Sequence, residues 1–188
     1  MKTVYLDTNL ILSPFRPKDD NFRLMEEIKH LKHLIFVTGA ISLVEIESVL
    51  LREKELFING VNFLAKDKKL DEIVLLSLKD QINLFIDYLI RFYNLEIIEE
   101  DSSNFNVLNK HKKMPMTYIY SLNNPVKVNL RTLDLLHYNS SRFSSEFLKM
   151  KIDYFVTGDY FFQSKREELK LESPILVVSP ETLIDLEK

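Results

Sequence analysis

The chain has no cysteine and only three glycines among 188 residues. The first absence excludes a disulfide framework and any thiolate metal site. Scarce glycine, beside 46% apolar and 28% charged residues, fits a globular protein rich in helix and not a disordered chain. Long apolar runs are missing too, and none approaches the ~20 residues needed to cross a bilayer. The first apolar stretch is interrupted at Asp7, with no small-residue cleavage site behind it, so a secretory signal is not expected. A net charge of −3 argues against a surface coated in basic charge to hold nucleic acid non-specifically, but leaves room for a local basic groove. The expectation is a cytoplasmic protein of one domain, with no membrane association, since a chain this long buries roughly 70% of its unfolded surface without staples.

What is present alternates between strand and helix. Thr3 to Leu6, Leu34 to Val37, Leu95 to Ile98, Tyr154 to Thr157 and Ile175 to Val178 read as strands. Between them, Asn21 to Lys32, Ile41 to Glu53, Asp71 to Phe92, Arg131 to Lys149 and Tyr160 to Leu169 read as helices. Ser42 lies three residues before Glu45, a capping-box spacing, and Ser179-Pro180-Glu181 opens a short terminal helix with Ser179 as N-cap. The pattern predicts an α/β fold of three layers, α/β/α, around a mostly parallel sheet of about five strands. Asp71 to Phe92 is apolar over more than one stripe, which implies two buried faces. The second is met either by another protein chain, including a second copy in a homodimer, or by an insertion of the domain itself. Asp101 to Leu130, polar and broken by Pro115 and Pro125, reads as the least regular stretch.

Four acids stand out. Asp7 and Asp159 end the first and fourth strands, where a parallel sheet presents its ligand crevice. Glu45 and Asp134 are embedded in apolar helix sequence, where a lone buried carboxylate is costly unless paired. Each has an ordinary reading, because Asp, Asn and Gly-Asp after a strand often only make turns and caps. Together they point to one shared cation. Carboxylates near 4 Å repel by roughly 1 kcal/mol per pair even in water, and oxygen ligands suit Mg²⁺ or Mn²⁺ rather than zinc.

In these residues the chain resembles the PIN-domain nucleases, and among them the VapC-like toxins. The likeness lies in Leu6-Asp7-Thr8-Asn9, Ser42-Leu43-Val44-Glu45, Leu133-Asp134-Leu135-Leu136-His137, Val156-Thr157-Gly158-Asp159 and the closing Val178-Ser179-Pro180-Glu181. It implies a metal-dependent endoribonuclease in which Asp7, Glu45, Asp134 and Asp159 hold one or two Mg²⁺ or Mn²⁺ ions, with Thr8, Asn9 and Thr157 shaping the site. Water activated by metal would attack the phosphorus of an RNA substrate, and the toxin likeness implies an antitoxin partner. Two features depart from that pattern. Phe161 stands two after Asp159, where many relatives carry another acid, and the chain is longer than those toxins, with the excess near Leu56 to Asp71 and Asp101 to Leu130.

The second excess segment carries Lys110, Lys112, Lys113 and Lys127 against Asp101, with His111, Tyr118 and Tyr120 among them. Basic groups interleaved with aromatics hold single-stranded RNA, although a solvated loop with tyrosines packed down would look the same. Arg131, one helical turn before Asp134, is a further phosphate-binding candidate, ahead of Arg16 and Arg142. Two other readings compete. A phosphatase of the haloacid dehalogenase type needs acids where Asn9 and Gln163 stand, and a non-catalytic PIN-like scaffold leaves four mutually repelling acids without a purpose.

Overall fold

The computed structural model describes residues 1–16, 18–67, 70–98, 102–107 and 110–188, with 66–67, 70–71, 102–107 and 110–114 described as backbone alone. The first half runs β1 (Lys2–Leu6), α1 (Thr8–Leu12), α2 (Phe22–Ile28), β2 (Leu34–Gly39), α3 (Ala40–Arg52), α4 (Lys54–Asp67), α5 (Leu70–Val74), α6 (Leu78–Tyr93) and β3 (Glu96–Ile98). The second half runs β4 (Ser102–Val107), β5 (Lys110–Pro115), α7 (Met116–Asn123), α8 (Thr132–Phe147), β6 (Tyr154–Val156), α9 (Tyr160–Ser164), α10 (Arg166–Lys170), β7 (Leu176–Val178) and α11 (Pro180–Glu187).

Five strands form one parallel sheet in the order β3-β2-β1-β6-β7. Side chains alternate across it. Val4, Leu6, Phe36, Tyr154 and Val156 enter one core with α1, α2, α3, α4 and α6, while Tyr5, Val37, Phe155 and Val177 enter a second core with Tyr138 of α8, Phe162 of α9 and Leu169 of α10. The period-2 pattern of a strand buried on both faces thus produces the three-layer arrangement. The chain leaves β1 toward β2 and β3, then returns to β6 on the other side of β1. This reversal makes the carboxyl ends of β1 and β6 the switch point, where an open α/β sheet has its crevice. Asp7 follows one of these strands and Thr157-Gly158-Asp159 the other. Among the described residues, no helix is long and apolar enough to cross a membrane.

Four local expectations need correction. The long helix over 71–92 is two helices, because Ser77 takes extended backbone and its hydroxyl accepts from the Asp80 N–H, starting α6 afresh. On α6, Phe85 packs against Gly60 of α4 so closely that an added Cβ would sit 2.9 Å from its ring, while Val74, Leu76 and Leu78 of the same apolar stretch are exposed. The segment expected to be irregular holds the antiparallel hairpin β4–β5 and helix α7. Ser42 is no cap, since α3 begins after Gly39 and Ser42 is buried inside it, 2.6 Å from the Thr38 hydroxyl. The helix read over 160–169 breaks at Lys165 into α9 and α10. Ser179, by contrast, caps α11 by accepting from the Thr182 N–H.

Candidate metal centre

All four acids reach one cavity of about 410 Å³, which is also lined by Asn9, Arg131, Thr132, Leu133 and His137. Each arrives from a different element. Asp7 precedes α1, Glu45 lies in α3, Asp134 is in the first turn of α8, and Asp159 caps α9.

Asp7 is buried, and its Oδ2 accepts a 2.6 Å hydrogen bond from the Thr157 hydroxyl. Burial, aided by the charge of Glu45, pushes its carboxyl above the usual range despite that bond and the nearby His137. Thr157 joins the two strand ends, because its Oγ1 also accepts from the Asp159 N–H at 3.0 Å and from Asn9 Nδ2 at 3.5 Å. Asn9 Oδ1 accepts in turn from the Gly158 N–H at 3.3 Å, and Gln163 Nε2 donates to the Thr157 carbonyl at 2.7 Å. The two positions where a dehalogenase-type phosphatase needs acids therefore carry amides that brace the loop. Gly158 packs tightly, since a Cβ there would lie 2.9 Å from Asn21 Nδ2 and 3.2 Å from Leu10 Cδ2 and the Asn21 amide would have to shift to admit it.

Asp134 is the least satisfied of the acids. Its Oδ2 is buried with no hydrogen-bond partner among the described residues. Burial, then the charges of Asp7 and Asp159, push its carboxyl up to about 6, against the pull of Arg131 and His137. Asp159 divides its carboxylate. Oδ1 accepts from the Phe161 and Phe162 N–H groups at 2.7 and 3.2 Å, while Oδ2 lies 3.4 Å from Arg131 Nη1.

His137 is the residue that reading the sequence left without a role. It lies buried one turn after Asp134, with Nε2 2.8 Å from Glu45 Oε2 and Nδ1 facing the Tyr5 hydroxyl at 3.2 Å. Burial opposes its charge, but Tyr5, Glu45 and Asp7 outweigh that and push it up to about 10. The same hydrogen bond, with help from Thr8 and Arg52, overcomes burial and holds Glu45 below the usual range. One ligand atom from each of Asp7, Glu45 and His137 lies within 4.8 Å of the others. Because both ring nitrogens of His137 already face partners, it orients Glu45 rather than offering a lone pair. The i, i+3 spacing of Asp134 and His137 was the signal for it.

Four further positions are RNA candidates from the sequence. Arg131 stands at the rim of the cavity, whereas the side chains of Lys110, Lys112 and Lys113 lie outside the described residues. Arg16 is occupied by Glu53, with Nη2 3.0 Å from Oε1, and Arg142 is buried with Nη1 donating to Asn139 Oδ1 at 3.1 Å.

The donor set suits a hard divalent cation. Carboxylates from four elements line one cavity, with one oxygen buried and unbonded and no cysteine in the chain, and those of Asp7 and Glu45 come within 4.8 Å of each other and of His137. No family model matches the sequence, and no curated protein matches it. A solved structure does match in fold: a chain from the crystal structure of VapBC2 from Rickettsia felis bound to a DNA fragment from their promoter. The TM-score is 0.50 at 14% identity, over 94% of this chain and 98% of that one. The fold is PIN-like. At that identity the likeness bears on the fold alone, and function must be argued from the cavity.

Proposed function

We propose that this protein is a metal-dependent endoribonuclease of the PIN type, in which Asp7, Glu45, Asp134 and Asp159 hold Mg²⁺ or Mn²⁺. The observation that carries this reading is the buried, unbonded Oδ2 of Asp134 in a cavity that three other carboxylates share. A protein with no use for a cation there has no reason to bear their repulsion. When bound, the ion would stabilise charge on phosphate oxygens and make water acidic enough to attack phosphorus near neutral pH.

The chain's own residues do the rest. Thr157 fixes Asp7 and the Asp159 backbone in one frame, and His137 fixes Glu45. Arg131, 67% exposed at its side chain and beside Asp159, is placed to take a phosphate oxygen of the entering strand. No side-chain nucleophile is needed. Because the solved neighbour comes from a VapBC2 assembly on promoter DNA, the reading extends to a toxin whose activity is held in check by a cognate antitoxin, with both in the cytoplasm.

The test is incubation of the purified protein with single-stranded and hairpin RNA plus Mg²⁺ or Mn²⁺, beside Asp7→Asn and Asp134→Asn. Cleavage by the unaltered protein and loss of it in both variants is the expected result. Equal cleavage by all three would assign the activity to a contaminant and remove the proposal.

A further inference from the structure

A second cavity, of about 530 Å³, opens at the other end of the sheet from the four acids, where β1, β6 and β7 begin with Lys2, Tyr154 and Leu176. The last turns of α8 line it too, and they bring Arg142 to its wall. That residue is only 9% exposed, and it forms no ion pair with a carboxylate among the described residues. Its one hydrogen bond there runs from Nη1 to the neutral Asn139 Oδ1 at 3.1 Å, Nε is buried without a partner, and the Tyr120 ring centre lies 5.5 Å from the guanidinium carbon. An amide oxygen and a ring face soften the loss of water but supply no counter-charge.

The other cations of the cavity are answered. Lys2 Nζ lies 2.6 Å from Glu187 Oε1, and Lys151 Nζ lies 2.6 Å from Asp153 Oδ1. Glu146, one turn after Arg142, accepts the Tyr120 hydroxyl at 2.8 Å and leaves the guanidinium alone. A donor stands nearby as well: Ser145 Oγ accepts the Ile152 N–H at 3.0 Å, and its own proton has no acceptor among the described residues.

We propose that this cavity binds a small organic oxyanion, a carboxylate or phosphate group on an apolar body, with Arg142 as its counter-ion. The guanidinium fork matches either group, the Ser145 hydroxyl adds a donor, and Ile152, Pro174 and Leu176 offer an apolar wall. The volume suits a molecule of that size. The site lies apart from the cation cavity and does not depend on the nuclease reading.

The experiment is calorimetric titration of the full chain with benzoate, with phenyl phosphate, and with phenol as the uncharged control, at pH 7.5 and constant ionic strength. Saturable binding of at least one anion, with none of phenol, is the expected result, and the anion that binds tells carboxylate from phosphate. Arg142→Gln should weaken that binding about 10- to 150-fold, the range of one hydrogen bond to a charged group. Should that variant fail to fold, Glu146→Gln carries the test. It alters an exposed residue, still accepts the Tyr120 hydroxyl, and removes a negative charge from the wall, so it should tighten the same anion about two- to fivefold.

Arg131→Gln, at the other cavity, should leave the affinity unchanged. No saturable binding of either anion, phenol bound as tightly, affinity that neither Arg142→Gln nor Glu146→Gln moves, or binding lost in Arg131→Gln would overturn the inference.

Discussion

Replacing Asp134 by asparagine should stabilise the metal-free protein while removing its response to metal. Ionising a carboxyl whose pKa has moved from 3.8 to about 6 costs the folded state on the order of 3 kcal/mol at neutral pH. Since the group is only partly buried, solvent screening cuts this to about 1–2 kcal/mol, or roughly 2–8 °C in Tm for a chain of this size. The sign follows from linkage. The folded-state pKa lies above the unfolded one, so the penalty is absent below about pH 4, grows between there and about pH 6, and is complete above it. Asp134→Asn should therefore melt higher than the unaltered protein at pH 7.5 in EDTA and match it at pH 4. Metal reverses the order, because an ion at about a hundred times its Kd stabilises a binding-competent protein by about 2.7 kcal/mol, and the variant loses that gain. Thermal melts at both pH values, with EDTA and with Mn²⁺, provide the four comparisons. A variant no more stable than the parent at pH 7.5 in EDTA, or a gain that persists undiminished at pH 4, would refute the claim that Asp134 is held charged against its surroundings.

Three other changes probe the site's frame and the fold that carries it. Thr157→Val removes the donor to the buried Asp7 carboxylate and the acceptor for the Asp159 N–H; urea melts should show a loss of about 2–3 kcal/mol, calorimetry should show weaker Mn²⁺ uptake, and Thr157→Ser should restore both. Glu187, held below its ordinary value near 4.5 by Lys2, Tyr154 and His33 despite burial, stabilises the fold above that pH. Glu187→Gln should therefore destabilise at pH 7, and the gap should close as pH falls below about 4.5. Gly60→Ala gains about 1 kcal/mol of helix propensity but drives a methyl to 2.9 Å from the boxed-in Phe85 ring. Overpacking there should cost about 1–3 kcal/mol, so calorimetry should record a lower Tm.

How much of this was legible in the sequence depended on how local the signal was. Asp7 and Asp159 could be read directly, because each ends an apolar run that becomes a central strand. Ser179 could be read too, since serine before proline carries its own capping chemistry. Glu45 was singled out for a reason only half right: Ile46 is buried, but Val44 is exposed, and what draws Glu45 inward is His137. That contact spans 92 positions and exists only once α3 and α8 meet, so no local pattern contained it. The hairpin was hidden because asparagine and lysine are weak strand formers whose pairing is decided by context. The break at Ser77 was hidden because apolar periodicity continues through residues that one capping hydroxyl separates.

The charge balance of the cavity ties these pieces together. Four carboxylates face two cations, His137 beneath Glu45 and Arg131 beside Asp159. Two formal negative charges are left over, which is the charge of one divalent ion. His137 is buried and committed to Glu45, so its charge is a fixed part of the site. Arg131 is mostly exposed, with one 3.4 Å contact to Asp159 and its guanidinium 5.1 Å from the centre of the Phe161 ring, so at little cost it can turn toward a phosphate. On the nuclease reading, a bound ion and an entering phosphodiester would meet a site in which one cation cannot leave and the other is free to follow the substrate. This division of labour leaves Asp134, which neither cation touches directly, with an unbonded oxygen and a carboxyl pushed up to about 6.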